Sequence, residues 1–551
     1  MTSAQDLQKL WDQAAALHQG GRLAQAEQLY LQVLAAEPRL AAGWNVLGSL
    51  RAQQGRVAEA LADFDRAVAL KPAHAEAHAN RAHALWALGR LEEAVTAYDR
   101  SLAVQPGDPQ LWNYRGGALA QLNRLDDALA SFVRAAALKP DHVEALNNQG
   151  VILQILRRFD ESLAVFDRAL AARPDHAEAL NGRAATLSEM ENFAAALANV
   201  EKAIALQPAY TEAHYNHGGI LADLGRFEDA VASYDRALAL KPDYAEAQYN
   251  QSLCRLLLGQ FEKGWAQYEW RKRRRLPITL RNHPQPHWLG EEDISGKQLF
   301  LYWEQGLGDT IQLCRYARMA AAKGARVVLS VQTPLVGLLQ QLGPEVEVIG
   351  KEDTPHHFDF QSSLMSMPLA FGGAIPSAPY LHPDPELAAQ WADRLPPKTR
   401  PRIGLVWSGG QNHRNDHNRS MPFETLAPLL GPQADWVCLQ KEIRDIDIAA
   451  VRRHGKVTCF GNALRDFRDT AALASLMDLV ISVDTAVAHM TGALGQPVWI
   501  LLAQRPDWRW QLERDDSPWY PSARLFRQQR RGDWAGVIAR LQTEIAAIAP
   551  G

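Results

Sequence analysis

Residues 55–72 read GRVAEALADFDRAVALKP, residues 89–106 read GRLEEAVTAYDRSLAVQP and residues 225–242 read GRFEDAVASYDRALALKP. Their starts lie 34 residues and four times 34 residues apart. The register extends in both directions, because Pro38, Pro72, Pro106, Pro140, Pro174, Pro208 and Pro242 recur at intervals of 34. Three further series run in step: Gly21, Gly55, Gly89, Asn123, Arg157, Glu191, Gly225 and Gly259; then Ala26, Ala60, Ala94, Ala128, Ser162, Ala196, Ala230 and Gly264; then Tyr30, Phe64, Tyr98, Phe132, Phe166, Val200, Tyr234 and Tyr268. A fixed period of roughly 20–50 residues is the mark of stacked supersecondary units.

Each series has a physical reading. Gly or Asn ends a first helix by taking a left-handed backbone. The small residue lets two helices approach, and the bulky residue four positions later lies on the same helix face and fills the seam. The proline closes the second helix, which it cannot continue. The pattern resembles the tetratricopeptide repeat. It predicts an all-α solenoid of eight units over residues 7–278, the last degenerate at Gly264 and Arg271 in the manner of a unit that docks on another domain. Asn80, Asn148, Asn216 and Asn250 recur at one repeat position, with Asn45, Asn113, Asn147 and Asn181 beside it and Tyr114 and Gly182 interrupting the row. Carboxamides both donate and accept, so the row either bonds an extended peptide backbone or is a solvated helix face. Its spacing resembles the asparagine ladder in the repeat domain of O-linked N-acetylglucosamine transferases.

A chain of 551 residues exceeds one core. A net charge of −4 gives no field for nucleic acid or an anionic membrane. The one basic run, residues 271–275, reads as a solvated helix end. Cys254, Cys314, Cys438 and Cys459 form no CxxC pair, which argues against a local zinc or redox motif and fits a reducing compartment. The N-terminus lacks the pattern of a signal peptide, and no apolar run spans a membrane, so the expected location is cytoplasmic.

Past a linker at 279–296 the period is lost and β-rich runs alternate with helical ones. Strands are expected at 297–304, 325–331, 346–350 and 358–364, and, after the proline-rich stretch 395–402, at 403–409, 435–440, 456–460, 478–485 and 497–503. Alternating β and α units imply parallel sheets, here two Rossmann-like lobes at 297–395 and 400–530, with a C-terminal helix within 531–551. Ligands of such sheets sit at the carboxyl ends of the strands.

Three loops lie there. After the first strand comes Gly306-Leu307-Gly308-Asp309, whose glycines allow a ligand close to the backbone and whose aspartate either caps the next helix or faces the cleft. After strand 403–409 come Ser408, Gly409 and a polar loop in which Arg414 and Arg419 could neutralise a diphosphate. After strand 478–485 come Asp484, Thr485, Ala486 and His489, with Asp484 or Thr485 capping a helix whose first amides form an anion site. Asp445-Ile446-Asp447 reads as a solvated helix face rather than a metal site, and Trp508, Trp510, Trp519 and Tyr520 read as packing residues or as a stacking platform.

GLGD at 306–309, GLVWSG at 404–409, RSMP at 419–422 and DTAVAH at 484–489 together resemble the heptosyltransferase family of GT-B glycosyltransferases. The whole chain resembles bacterial repeat-fused members, some of which glycosylate flagellin. The resemblance implies an inverting, metal-independent transfer from a nucleotide-sugar without any other cofactor. Asp309 is the implied base, and the implied donor and phosphate contacts are Gly306, Gly308, Ser408, Gly409, Arg419, Asp484, Thr485, Ala486 and His489, with Gln440 and Lys441 near the nucleotide. Ala486 departs from the family, which often has glycine there. The acceptor implied is a polypeptide recruited by the repeats. The alternatives are an enzyme acting on an envelope glycan or lipopolysaccharide, and an inactive scaffold. A dehydrogenase is disfavoured because the turn is GLGD rather than GxGxxG.

Overall fold

The computed structural model of the chain describes residues 4–274, 281, 283–376, 378–411 and 415–548. Among these, sixteen α-helices run from Ala4–Gln19 to Phe261–Tyr268, and ten strands follow. The chain divides into two compact units, Met1–Ile220 and Leu221–Gly551.

In the first unit the helices pair antiparallel, one pair per repeat. Each first helix ends on a residue of positive φ, including Asn123 at 59°, Arg157 at 58° and Glu191 at 62° where glycine is missing. The closure is carried by two backbone bonds, as where Arg56 N donates to Arg51 O at 2.9 Å and Gly55 N to Ala52 O at 3.0 Å. Ala26, Ala60, Ala94, Ala128, Ser162 and Ala196 are all fully buried. Where the seam residue is phenylalanine, its partner has no side chain: a Cβ on Gly48, Gly116 or Gly150 would lie 2.7, 2.6 or 2.7 Å from the ring of Phe64, Phe132 or Phe166. Successive repeats are also stitched by polar pairs, Arg81 to Asp65, Arg115 to Asp99 and Arg183 to Asp167.

The second unit contains two parallel sheets. The first comprises β1 (Gln298–Tyr302), β2 (Arg326–Ser330), β3 (Val346–Ile349) and β4 (Phe360–Ser363) in the order β3-β2-β1-β4. The second comprises β5 (Arg402–Val406), β6 (Asp435–Cys438), β7 (Val457–Cys459), β8 (Leu479–Val483), β9 (Val498–Leu502) and β10 (Ala523–Arg527). Their order, β7-β6-β5-β8-β9-β10, is the doubly wound order with its switch point between β5 and β8. β10 was not among the expected strands. Helix Trp534–Ile548 lays Val537, Ile538, Leu541 and Ile545 into the core of this sheet, as its amphipathic pattern predicts.

The division at Ile220 does not coincide with the expected solenoid limit of 278 and linker 279–296. The repeat helices continue past Ile220 to Phe261–Tyr268, and the eighth repeat packs on the α/β part. Trp265 is 2 % exposed and meets Trp508 edge-on, with centroids 4.9 Å apart. Arg271 is not the solvated end of a basic run. It is fully buried, and its guanidinium bonds both oxygens of Glu304 at 2.7 and 2.8 Å and Ser366 Oγ at 2.9 Å.

Candidate functional site

The site is assembled at the carboxyl ends of β1, β5 and β8. β1 feeds Gly306, the N-cap of helix Leu307–Leu313. Asp309 reaches back so that its Oδ2 accepts from Gly306 N at 2.7 Å, so capping is realised. Its other oxygen pairs with the Arg509 guanidinium, which also donates to Asp507 Oδ1 at 2.7 Å. Arg509 is 5 % exposed and lies 4.2 Å over the Trp508 ring. A side chain at either glycine would crowd the protein. A Cβ on Gly308 would fall 2.8 Å from His489 Cδ2, and one on Gly306 3.1 Å from Asp309 Oδ2. Gly308 thereby seats the first loop directly on the third.

The end of β5 is bracketed by Gln440. Its Oε1 accepts from Trp407 N at 2.6 Å and Ser408 N at 3.1 Å, while its Nε2 donates to Ser408 Oγ at 3.0 Å. Both ends of this buried carboxamide are thus used within the protein, and Lys441 Nζ turns away to Arg465 O at 3.1 Å. Arg419 covers Gly409, where a Cβ would meet its guanidinium at 2.6 Å, and its Nη1 donates to Asp484 O at 3.1 Å. The Arg419 Nε is buried without a hydrogen-bond acceptor among the described residues. Arg414 lies outside the described residues.

At β8, Thr485 occupies the N-cap of helix Ala486–Ala493, but neither it nor Asp484 makes a side-chain capping bond there. Thr485 Oγ1 instead meets Ser482 Oγ at 3.0 Å. The expected side-chain cap is therefore missing, which leaves the first-turn amides for another acceptor. His489 is buried, stacked on Trp510 at 5.2 Å and bonded through Nδ1 to Tyr520 Oη at 3.0 Å, with Nε2 3.8 Å from Asp484 Oδ1. Burial, and after it the charges of Arg509, Arg315 and Arg419, hold the His489 pKa well below its ordinary value, so the ring is neutral at pH 7. Asp484 keeps 20 % of its side chain exposed, but the mass of protein around it, and next the charge of Asp507, push its carboxyl up to about 6 against Arg419 and Arg509.

The structure thus brings Gly306, Gly308, Asp309, Ser408, Gly409, Arg419, Asp484, Thr485, Ala486 and His489 to the strand ends of one unit. Sequence reasoning passed over Arg509, although it stands between Trp508 and Trp510. It also missed Arg444, whose Nη2 donates to Gly409 O at 2.9 Å and to Asp416 Oδ2 at 2.5 Å. Trp508, Trp510, Trp519 and Tyr520 are buried and act in packing. Asp447 is not on a solvated face: it is 2 % exposed and accepts from Trp407 Nε1 and Phe423 N, each at 2.9 Å.

Six of the repeat asparagines form three pairs. Nδ2 of Asn80, Asn148 and Asn216 donates to Oδ1 of Asn45, Asn113 and Asn181 at 3.0, 3.1 and 2.9 Å. Each pair ties one repeat to the next.

Comparison with known proteins agrees with the first half of this description. Tetratricopeptide-repeat family profiles match residues 79–143, 141–209, and 48–89 with 218–251. Protein FlbA of Caulobacter vibrioides is 27% identical over 299 residues, covering 48% of this chain and 49% of that one, so the chain spans about half the length of this curated relative. Among solved structures, a tetratricopeptide protein of Parabacteroides merdae is 22% identical, with a TM-score of 0.38 over 46% of this chain and 99% of that one. YrrB, described as a tetratricopeptide protein with an unusual peptide-binding site, is 24% identical, with a TM-score of 0.31 over 33% and 95%. Residues 48–209 and 218–251 are accordingly tetratricopeptide repeats.

Proposed function

We propose that the second unit is a GT-B glycosyltransferase that moves a sugar from a nucleotide-sugar donor onto a polypeptide held by the repeats. The observation that carries this reading is the packing of the β1 loop that holds Asp309 on the start of helix Ala486–Ala493, where Gly308 lies against His489, with Arg419 of the β5 loop bonded to Asp484 O beside that helix start. Negative charge develops on the diphosphate as the sugar leaves, and Arg419 with those amides supplies donors where it develops. Neutral His489 adds no charge and presents its ring edge beside Gly308. Asp309, held by Gly306 N and Arg509, is the carboxylate that would take the proton of an acceptor hydroxyl. Stacked helical repeats present an extended surface suited to a polypeptide, which supports a protein acceptor over a glycan.

A second reading, an inactive scaffold, draws on the same contacts, since capping and ion pairing alone account for Asp309 and packing alone for Gly306 and Gly308. Release of UDP, GDP, ADP or CMP from the corresponding nucleotide-sugars by the full chain separates the two. Asp309→Asn is expected to leave donor affinity nearly intact and to lower turnover roughly 10²–10⁴-fold. Turnover equal to wild type would remove Asp309 from the chemistry.

A further inference from the structure

The four cysteines looked unrelated in the sequence, but strand pairing brings two of them together. β6 and β7 are parallel neighbours, and Cys438 and Cys459 are register partners across them. Directly paired residues of adjacent strands point to the same face with backbones about 4.8 Å apart. That separation lies inside the roughly 4.4–6.8 Å Cα window that a disulfide spans. β7 is the edge strand of its sheet, and Cys459 is exposed on it, whereas Cys438 is fully buried. One sulfur is therefore accessible to solvent and the other is held beneath it.

The two thiols also differ in character. The neighbouring Cys438 thiol holds the Cys459 thiol below its ordinary pKa, against the effect of burial. The neighbouring Cys459, and then burial, push Cys438 well up. The outer sulfur is favoured as the thiolate, the nucleophilic form, and the inner sulfur stays a thiol that donates to Gln440 O at 3.8 Å. Cys254 and Cys314 present the opposite case: both are buried, and burial pushes each thiol up to about 12.

We propose that Cys459 and Cys438 are a peroxide-reactive thiol pair that closes into a reversible disulfide between β6 and β7. The Cys459 thiolate attacks hydrogen peroxide: the S–O bond forms, the O–O bond breaks, and hydroxide leaves and takes a proton to become water. Cys438 then attacks the sulfenic sulfur of Cys459. The S–S bond forms, the S–O bond breaks, and the departing hydroxide carries off the Cys438 proton as a second water. Two thiols and one peroxide give one disulfide and two waters, with the sulfurs oxidised and the peroxide reduced. A dithiol reductant reverses the reaction by exchange. The bridge would end β6 two residues before Gln440, whose carboxamide brackets Trp407 and Ser408.

The full chain treated with a few equivalents of hydrogen peroxide, quenched by alkylation and mapped by mass spectrometry, tests this. The expected product is a Cys438–Cys459 linked peptide, with Cys254 and Cys314 recovered as thiols and the link lost on dithiothreitol treatment. In Cys438→Ser the resolving sulfur is gone, and Cys459 is expected to be trapped as a dimedone adduct of its sulfenic acid. Accumulation of sulfinic or sulfonic acid at Cys459 with Cys438 still reduced would overturn the proposal. So would oxidation of all four cysteines at one rate, or absence of the dimedone adduct in a folded Cys438→Ser chain.

Discussion

At the scale of single residues, the site holds groups that are costly to keep. Asp484, pushed up to about 6 chiefly by burial, is ionised in the fold at a pH where folding disfavours its charge. Its unfolded counterpart titrates near about 3.9. The cost is present in full above about pH 6, shrinks as pH falls through that value, and is gone below the unfolded pKa. Asp484→Asn is therefore expected to stabilise the second unit at pH 8 by on the order of 1–3 kcal/mol, with no gain at pH 4. Denaturant unfolding followed by tryptophan fluorescence at the two pH values reads this, and a gain of equal size at both would refute the assignment of cause. Gly308 carries the other residue-scale expectation. A methyl there meets the His489 ring at 2.8 Å, so Gly308→Ala should separate the β1 loop from the β8 loop and lower the thermal midpoint of the second unit. An unchanged midpoint would show that the ring yields freely.

At the scale of elements, the repeat helices were legible because one backbone device is written at one period. The series beginning with Gly21 marks the residue of positive φ in each unit, and it does so even at Arg157 and Glu191. There the helix-end backbone bonds, such as Asn192 N to Leu187 O and Glu191 N to Ser188 O at 2.9 Å each, hold the geometry against the preference of the side chain, which costs roughly 1–2 kcal/mol in the left-handed region. Glycine relieves that strain but adds freedom to the unfolded chain. Glu191→Gly is expected to stabilise the first unit by a net of about 0.5–1 kcal/mol, and a loss of stability by urea unfolding would contradict it. Nine of the ten strands were legible as short apolar, β-rich runs alternating with helical ones. β10 escaped because ARLFR, residues 523–527, sets two arginines among only three apolar residues and follows a tryptophan-rich loop. Which asparagine faces which was not legible, because pairing across repeats is set by the stacking of helices rather than by position within one.

At the scale of the whole molecule, the departures of the eighth repeat are what join it to the α/β part. Arg271 could be seen in the sequence only as one cation in a basic run. Its burial depends on Glu304, 33 residues on, at the end of β1. Removing one partner of a buried ion pair leaves the other charge uncompensated, at about 3–5 kcal/mol. Arg271→Ala is expected to destabilise the second unit by that order while the first unit unfolds as before. A change under about 0.5 kcal/mol would show the pair to be incidental. The candidate site was legible to a comparable degree. The loops at 306–309, 404–409 and 484–489 could be placed from strand ends and small residues. Arg509 and Arg444 could not, because their roles arise from contacts between distant parts of the chain.

The site should therefore be tested in the full chain, since a fragment beginning after Arg271 would leave Glu304 unpaired. The direct test is calorimetric binding of UDP, GDP, ADP and CMP to the full chain beside Arg419→Ala. Selective binding of one nucleotide, lost in a variant that melts like wild type, is the predicted result. Equal affinity in the variant, or no binding of any of the four by the folded chain, would contradict a donor site at Arg419.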